Sequence, residues 1–321
     1  MKVPDIYFEE YWGMLNAAND GGTYHSYLYE DENGRILHRF IKRPTNILPD
    51  TYDILSPTGF SGPVILDCSE KGKAALVRNF DRNFQKYCEE NSIAAEYIRF
   101  SPWIGNHEDF RDVYELKHHG YTTGIDLTTD FFHTEFSKER RRRINRAEES
   151  GVRVQFDFEG DTLDEFYRLY NLMYDKNDTE DPEHKSMLSR RYMSDAFRMC
   201  KGHIFIASAA VGMTAVSSTV YIHSDRFLHS YLTGNDPAFY QFNANSVVIL
   251  KACEWGRDNG KIALHQGGAR NEGIFSFKKQ FARNGVYDFH VGHKIRLNEL
   301  YDRLIALKGK ANDRYFPAYR E

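Results

Sequence analysis

The segment GIFSFKKQF sets an aromatic ring beside an ammonium, at Phe277 and Lys278. An ammonium so placed can neutralise the oxyanion of a tetrahedral intermediate or hold a phosphate, and an aromatic face can stack on a terminal base. A surface lysine next to a core phenylalanine is the competing account, and Lys279 is a rival one residue away. Just upstream, LHQGGARNEG holds Gly267 and Gly268, which allow backbone N–H groups to approach a ligand closely; a tight strand-to-helix turn with no ligand needs the same residues. His265 has an unperturbed pKa of about 6.5, suited to a general base for an attacking amine, yet a lone histidine in a strand is more often a satisfied core residue. In SKERRRRINR, Ser137 to Arg146, six Lys or Arg stand against one Glu. Guanidinium forks pair with phosphates. The plain alternative is a solvated helix face paired with Glu135, Glu139 and Glu148. Arg140 to Arg143 run unbroken over more than one helix face, so the four cannot all serve one ligand. Arg99, closing a strand, can reach an acceptor phosphate or simply a local carboxylate.

The elements that must position these groups follow from periodicity. TYHSYLYEDENGRILHRFIKR reads as a hairpin with Asn33-Gly34 at its tip, and 71–91 as a helix in which Ala75, Leu76, Phe80, Phe84, Tyr87 and Cys88 recur close to a 3.6 period. A strand at 93–100 stops at Ser101-Pro102. A second pattern starts near Tyr121: a strand in TTGIDL, one long helix through TTDFFHTEFSKERRRRINRAEES closed by Gly151, and a strand in VRVQFDF. Helices at 162–175 and from about Met187 to Cys200 come next, then strands at 203–209, 213–223 and 226–233. A helix at 243–259, a strand at 261–265 and the loop QGGARNEG complete it.

The 321 residues are about twice an ordinary domain, and 41% hydrophobic content supports a large core. The net charge of −4 argues against a protein that coats nucleic acid, and DNA is not an expected partner. Four scattered cysteines and the absence of HExxH or CxxC spacing predict neither a disulfide framework nor a metal site. Neither a GxSxG elbow nor a Walker loop is present, so hydrolase and nucleotide-triphosphatase functions have no support. No apolar run reaches the roughly 20 residues of a spanning helix, and a cytoplasmic location fits, with contact at a membrane surface left open.

Four segments taken in order, YDILSPTGFSGP, EYIRFSPW, GIDLTTDFFHTEFSKERRRRINRAEESGVRV and KIALHQGGARNEGIFSFKKQFA, resemble the FemABX aminoacyl transferases and related GNAT-like acyltransferases over most of the chain. The resemblance implies an α/β fold of two tandem GNAT-like domains, mixed sheets flanked by helices. The first would be 1–120 joined by 297–321, and the second 121–296. It implies amide formation on an amine acceptor, with no tightly bound cofactor and the acyl donor as co-substrate, either aminoacyl-tRNA or acyl-CoA. The leading expectation is aminoacyl transfer to a cell-envelope precursor of the peptidoglycan type, a phosphate-bearing acceptor, with tRNA as partner. The alternatives are N-acylation of an amino sugar or lipid from a thioester, and a non-catalytic module binding a nucleotide-linked glycan or RNA. Phe277 and Lys278 match the family's Phe-Lys pair beside the donor, and Arg143 and Arg146 the regular positions of its basic helix. Asn245 matches a frequent family Asn that can equally be a helix cap. Tyr52 and Asp53 match the motif bordering the acceptor groove, or form a structural turn. Two departures stand out: no heptad-rich helical arm is present, and TGNDPAFYQFNANS lacks the glycine loop that cradles a coenzyme A pyrophosphate.

Overall fold

The computed structural model describes residues 2–177, 189–269, 271–309 and 315–320. The chain forms two compact units, 1–120 with 288–321, and 121–287. Its fold is α/β, mixed sheet flanked by helices. Among the described residues the strands are β1 Thr23–Asp31, β2 Gly34–Pro44, β3 Tyr52–Leu55, β4 Val64–Cys68, β5 Ile93–Arg99, β6 Glu115–Asp126, β7 Arg153–Asp157, β8 Ile204–Val211, β9 Thr214–His223, β10 Phe227–Asn235, β11 Ala263–Gly268 and β12 Val286–Ile295.

In the first unit β1 and β2 form the expected hairpin, with Asp31 opposite Gly34 and the Asp31 carboxylate accepting the Asn33 N–H at 2.8 Å. β2 pairs antiparallel with β3 and β4, β3 runs parallel to β5, and Val291–Ile295 of β12 runs antiparallel to β5. Helix Lys73–Glu90 buries Leu76, Val77, Phe80, Phe84 and Cys88, the four-residue spacing legible in the sequence, against Ile36, Phe40, Ile54 and Ile98. The charges inside this unit are paired. Glu96, fully buried, is bonded to Arg296, to His38 at 3.1 Å and to the Tyr114 hydroxyl at 3.1 Å, while Arg296 also reaches Asp81 at 2.5 Å.

In the second unit the order is β6-β11-β10-β9-β8-β7, antiparallel except for β10 beside β11. Helices Lys138–Glu149 and Ala244–Asp258 supply Ile144, Ala147, Val247, Val248 and Cys253 to a core shared with Phe205, Tyr221, Leu228 and Leu264. Helix Leu163–Asn177 packs on β9 and β10, so closely at Gly234 that a Cβ there would stand 2.4 Å from the Tyr170 nitrogen.

Several local expectations need correction. The long helix expected from residue 128 to 150 is broken: a short helix Phe131–Thr134 ends, and Ser137, in extended conformation, caps a new helix by accepting the Arg140 N–H at 3.1 Å. β11 runs on through Gly267 and Gly268, which the sequence placed in a loop, and Asn271 caps a further helix, Glu272–Lys279. Asn245 is no cap; Asn243 holds that position, in left-handed conformation, with Asn245 inside the first turn. The expected helix start at Met187 and Arg270 of the glycine loop lie outside the described residues.

The buried ion pair makes an acid-stability prediction. Burial works against the charged form of Glu96, but Arg296 and His38 outweigh it and hold the carboxyl below its usual 4.5. A depressed carboxyl contributes fully above its unfolded pKa, so this stabilisation is complete above pH 4.5 and is lost as the pH falls below it. Urea titrations across pH 3–7 should show wild type losing stability faster below about pH 4.5 than Glu96→Gln. Equal slopes would contradict the assignment. Arg296→Met, which strands the carboxylate, should cost about 3–5 kcal/mol.

Candidate active site

The parallel ladder between β10 and β11 is three pairs long, Phe227 with Ala263, Leu228 with Leu264 and His229 with His265, and stops there. Beyond it, each strand shifts register and keeps only its other neighbour: β10 stays with β9 as far as Asn235, and Gly268 of β11 pairs with Thr122 of β6. Backbone groups of Gln266, Gly267 and Gly268 are therefore released from β10 at one end of the sheet. Gly267 is left-handed (φ 71°), and among the described residues other than its chain neighbours a Cβ built on it would meet only the Lys278 Nζ within 4 Å, at 3.9 Å. This is open space with an ammonium at its side.

Lys278, in the last turn of helix Glu272–Lys279, sends its ammonium back to these strand residues. Nζ donates to the Gln266 carbonyl at 2.6 Å and to the Gly268 carbonyl at 2.5 Å. Buried Gln266 returns the contact, its side-chain amide donating to the Lys278 carbonyl and to Thr123 Oγ1, both at 3.2 Å. Burial pulls the Lys278 pKa down to about 8. Lys279 instead is exposed, its Nζ 5.6 Å from the Phe275 ring centre, so the geometry favours Lys278 over its neighbour.

His265 lies beneath the same strand end, its Nδ1 accepting the Gly267 N–H at 3.3 Å and its ring 5.7 Å from that of His229. Burial, then the neighbouring His229 and Lys278, push its pKa well below the ordinary value. An imidazole held neutral in this way is a poor proton acceptor, which argues against the general-base role expected for it.

The basic run divides by helix face. Arg140 shares the buried side of helix Lys138–Glu149 with Ile144 and Ala147 and is only 4% exposed. Its guanidinium donates to Ser246 Oγ at 2.9 Å and Gln280 Oε1 at 2.7 Å and lies 4.8 and 5.0 Å from the ring centres of Phe277 and Phe281. Among the described residues it has no carboxylate partner, and burial lowers its pKa to about 10, leaving it charged at neutral pH. The Phe277 ring thus gives one face to Arg140 and packs against Phe281, ring centres 5.2 Å apart. Arg141 closes the preceding turn through the carbonyls of His133 (2.9 Å) and Phe136 (3.0 Å). Arg143 is exposed and bonded to Glu139 at 2.7 Å, and Arg146 is exposed on the same helix.

The first unit treats its candidates differently. Asp53 is wholly buried and consumed by Arg43 at 2.9 Å, Tyr319 at 3.3 Å and Arg320, so it ties the chain's end to β3 and has no oxygen to spare for an acceptor. Tyr52 lies under the Lys42 ammonium, 4.1 Å from ring centre to Nζ. Among the described residues Arg99 meets no carboxylate; it donates to the Ser56 carbonyl at 2.7 Å, and its Nε is buried without a partner there. Among the described residues no group of three or more His, Cys, Asp or Glu is placed to hold a metal, and no helix is long and apolar enough to cross a membrane.

The structure therefore gathers Lys278, Gly267, Gly268, His265 and Phe277 at one strand end and adds Arg140, Gln266, Ser246 and Gln280, which the sequence did not single out. Comparison with known proteins agrees with this architecture. Residues 134–279 match the family model described as the acetyltransferase (GNAT) domain. No curated protein matches the chain in sequence. FemX superposes with a TM-score of 0.70 at 11% identity, over 93% of this chain and 94% of that one. The C-terminal domain of a protein assigned as a lysylphosphatidylglycerol synthetase from Agrobacterium fabrum gives 0.57 at 12%, over 93% and 94%. L-PGS from Bacillus licheniformis gives 0.54 at 15%, over 88% and 86%. At these identities the structural likeness is one of fold. The family-model match lies within the second unit, 121–287.

The lowered lysine pKa can be read directly. Lys278 carries its charge below about pH 8 and loses it above, whereas an ordinary lysine holds it to about 10.5. NMR of the protein labelled with 13C-lysine should show one lysine Cε titrating near 8 that disappears in Lys278→Arg. A Lys278 signal titrating in the ordinary range would contradict the desolvated cradle.

Proposed function

We propose that the chain forms an amide by transferring an aminoacyl group from aminoacyl-tRNA to an amine on a phosphate-bearing cell-envelope precursor. The observation that carries this is the Lys278 ammonium, held by two strand-end carbonyls beside the open space at Gly267. An acyl carbonyl seated in that space meets the third N–H of Lys278, with the Gly267–Gly268 backbone alongside. The acceptor amine attacks the carbonyl carbon, the oxyanion is stabilised by the ammonium, and collapse expels the ribose hydroxyl of the tRNA. No side-chain base is assigned, because burial leaves the His265 imidazole with little affinity for a proton; an acceptor amine of modest pKa gives its proton to water or to the leaving hydroxyl. Arg143 and Arg146, on the exposed face of their helix, suit phosphates of the donor or the acceptor. The pair of Arg143 with Glu139 is solvent-exposed and worth at most about 1 kcal/mol, so a phosphate can displace it.

The choice of donor rests on the segment between β10 and helix Ala244–Asp258. Residues Pro237–Phe242 form a 3-10 turn there, and the Asp236 carboxylate takes the Ala238 N–H at 2.9 Å. An anion already occupies that backbone donor, which disfavours a pyrophosphate at the same place. FemX and a lysylphosphatidylglycerol synthetase domain among the fold neighbours support an aminoacyl donor. The GNAT acetyltransferase-domain match favours a second reading, N-acylation from acyl-CoA.

Labelled acyl transfer from aminoacyl-tRNA and from acetyl-CoA, with thermal shifts for each donor, separates the two. Aminoacyl-tRNA should support transfer, and Lys278→Ala should lower it by about 10²–10³ with the fold intact. Stabilisation and transfer with coenzyme A thioesters alone would overturn the aminoacyl reading, and undiminished turnover in Lys278→Ala would overturn the role given to that residue.

A further inference from the structure

The cradle around Lys278 has a chemical consequence beyond catalysis by its charged form. The two bonds to the Gln266 and Gly268 carbonyls use two hydrogens, and a neutral amine has just two. The same cradle therefore holds the free amine, with its lone pair where the third N–H of the ammonium had been. Among the described residues no carboxylate is bonded to the group, so no counter-charge locks it in the protonated state. Alongside lies the space over Gly267, where a methyl group in place of the glycine hydrogen would have Nζ as its one neighbour within 4 Å among the described residues beyond its chain neighbours.

We propose that Lys278 is a self-acylation site, whose amine takes the acyl group of an activated ester or thioester when no acceptor amine is bound; the inference rests on the transferase reading for its donor. The nitrogen lone pair attacks the acyl carbon, a C–N bond forms, and the C–O or C–S bond breaks. The departing hydroxyl or thiol takes up the proton released by the amine, and nothing is oxidised or reduced. The product is a neutral amide with one N–H. It can satisfy one of the two carbonyls and can offer no charge to an oxyanion, so the acylated chain is switched off. The lowered pKa of Lys278 supports the idea, because the reactive amine is then present near neutral pH. Exposed Lys138 and Lys279 are internal comparators.

The test uses the full chain and S-acetyl-N-acetylcysteamine, a small thioester with no nucleotide, RNA or pyrophosphate to be recognised. Peptide mass spectrometry follows acetyl occupancy at each lysine over time at pH 7.5. Lys278 should be acetylated on the order of tenfold faster than Lys138 or Lys279, its larger free-amine fraction being offset in part by the lower nucleophilicity of a less basic amine. A Lys279→Arg variant should keep that rate. Added in excess, a small primary amine should protect Lys278 by competing for the acyl group. Occupancy of Lys278 no higher than that of Lys138 and Lys279 would overturn the proposal. Should transfer to an added amine be observed while Lys278 stays unmodified, the inference falls and the transferase reading stands. Rapid acetylation of Lys278 with no donor serving any acceptor upholds the site and removes the transferase reading.

Discussion

The contact on which the site depends is an ammonium bonded to two backbone carbonyls at the place where two parallel strands lose their ladder. Strand carbonyls are normally consumed by a neighbouring strand. Here β11 parts from β10 after His265, and the carbonyls of Gln266 and Gly268 turn to Lys278. The helix that carries Lys278 is in turn fixed by Gln266, whose amide grips the Lys278 carbonyl, and by the capping Asn271. Strand end, glycine and lysine thus form one unit, and none of the three keeps its geometry without the others.

Buried charge separates structural from functional candidates. Asp53 and Glu96 each have cations bonded to them, which suits groups that join distant parts of the chain, Arg296 to β5 and Arg320 to β3. Lys278 and Arg140 have neutral partners. Burying a cation without a counter-charge costs several kcal/mol unless other bonds offset it. Arg140 recovers part of that cost through Ser246, Gln280 and two aromatic faces, and in doing so it seats Phe277 beside Lys278. A buried cation left without a carboxylate is a natural place for developing negative charge, which is what acyl transfer produces at its oxyanion.

Much of the fold was legible because its elements have strong periods. The spacing of Leu76, Phe80, Phe84 and Cys88 marks a helix, and Asn33-Gly34 between alternating aromatics marks a hairpin. The break before Lys138 was missed because Phe131 to Ala147 reads as one helical stretch, although Ser137 followed by charged residues is a cap signal. That cap sets the phase of the helix, and the phase decides which arginine turns inward. Four successive arginines look equivalent by type, yet Arg140 stands four residues before Ile144 and seven before Ala147, the stripe that faces the core. Asp53 matched a binding motif, but the partners that consume it, Tyr319 and Arg320, are more than 260 residues away in the chain, and no local pattern announces them. His265 could be named but not judged, since its protonation depends first on burial and then on His229 across a strand pairing, both of which only the fold reveals.

The central claim is that the acyl donor sits over Gly267, between the parted strands and Lys278. Backbone amide NMR of the 15N-labelled chain, titrated with a non-hydrolysable aminoacyl-adenosine mimic of the charged tRNA end, tests it most directly. The account predicts that Gln266, Gly267 and Gly268 shift most and that Gly59 and Gly62 of the first unit stay unmoved. Saturable binding that leaves Gly267 and Gly268 unshifted would contradict it.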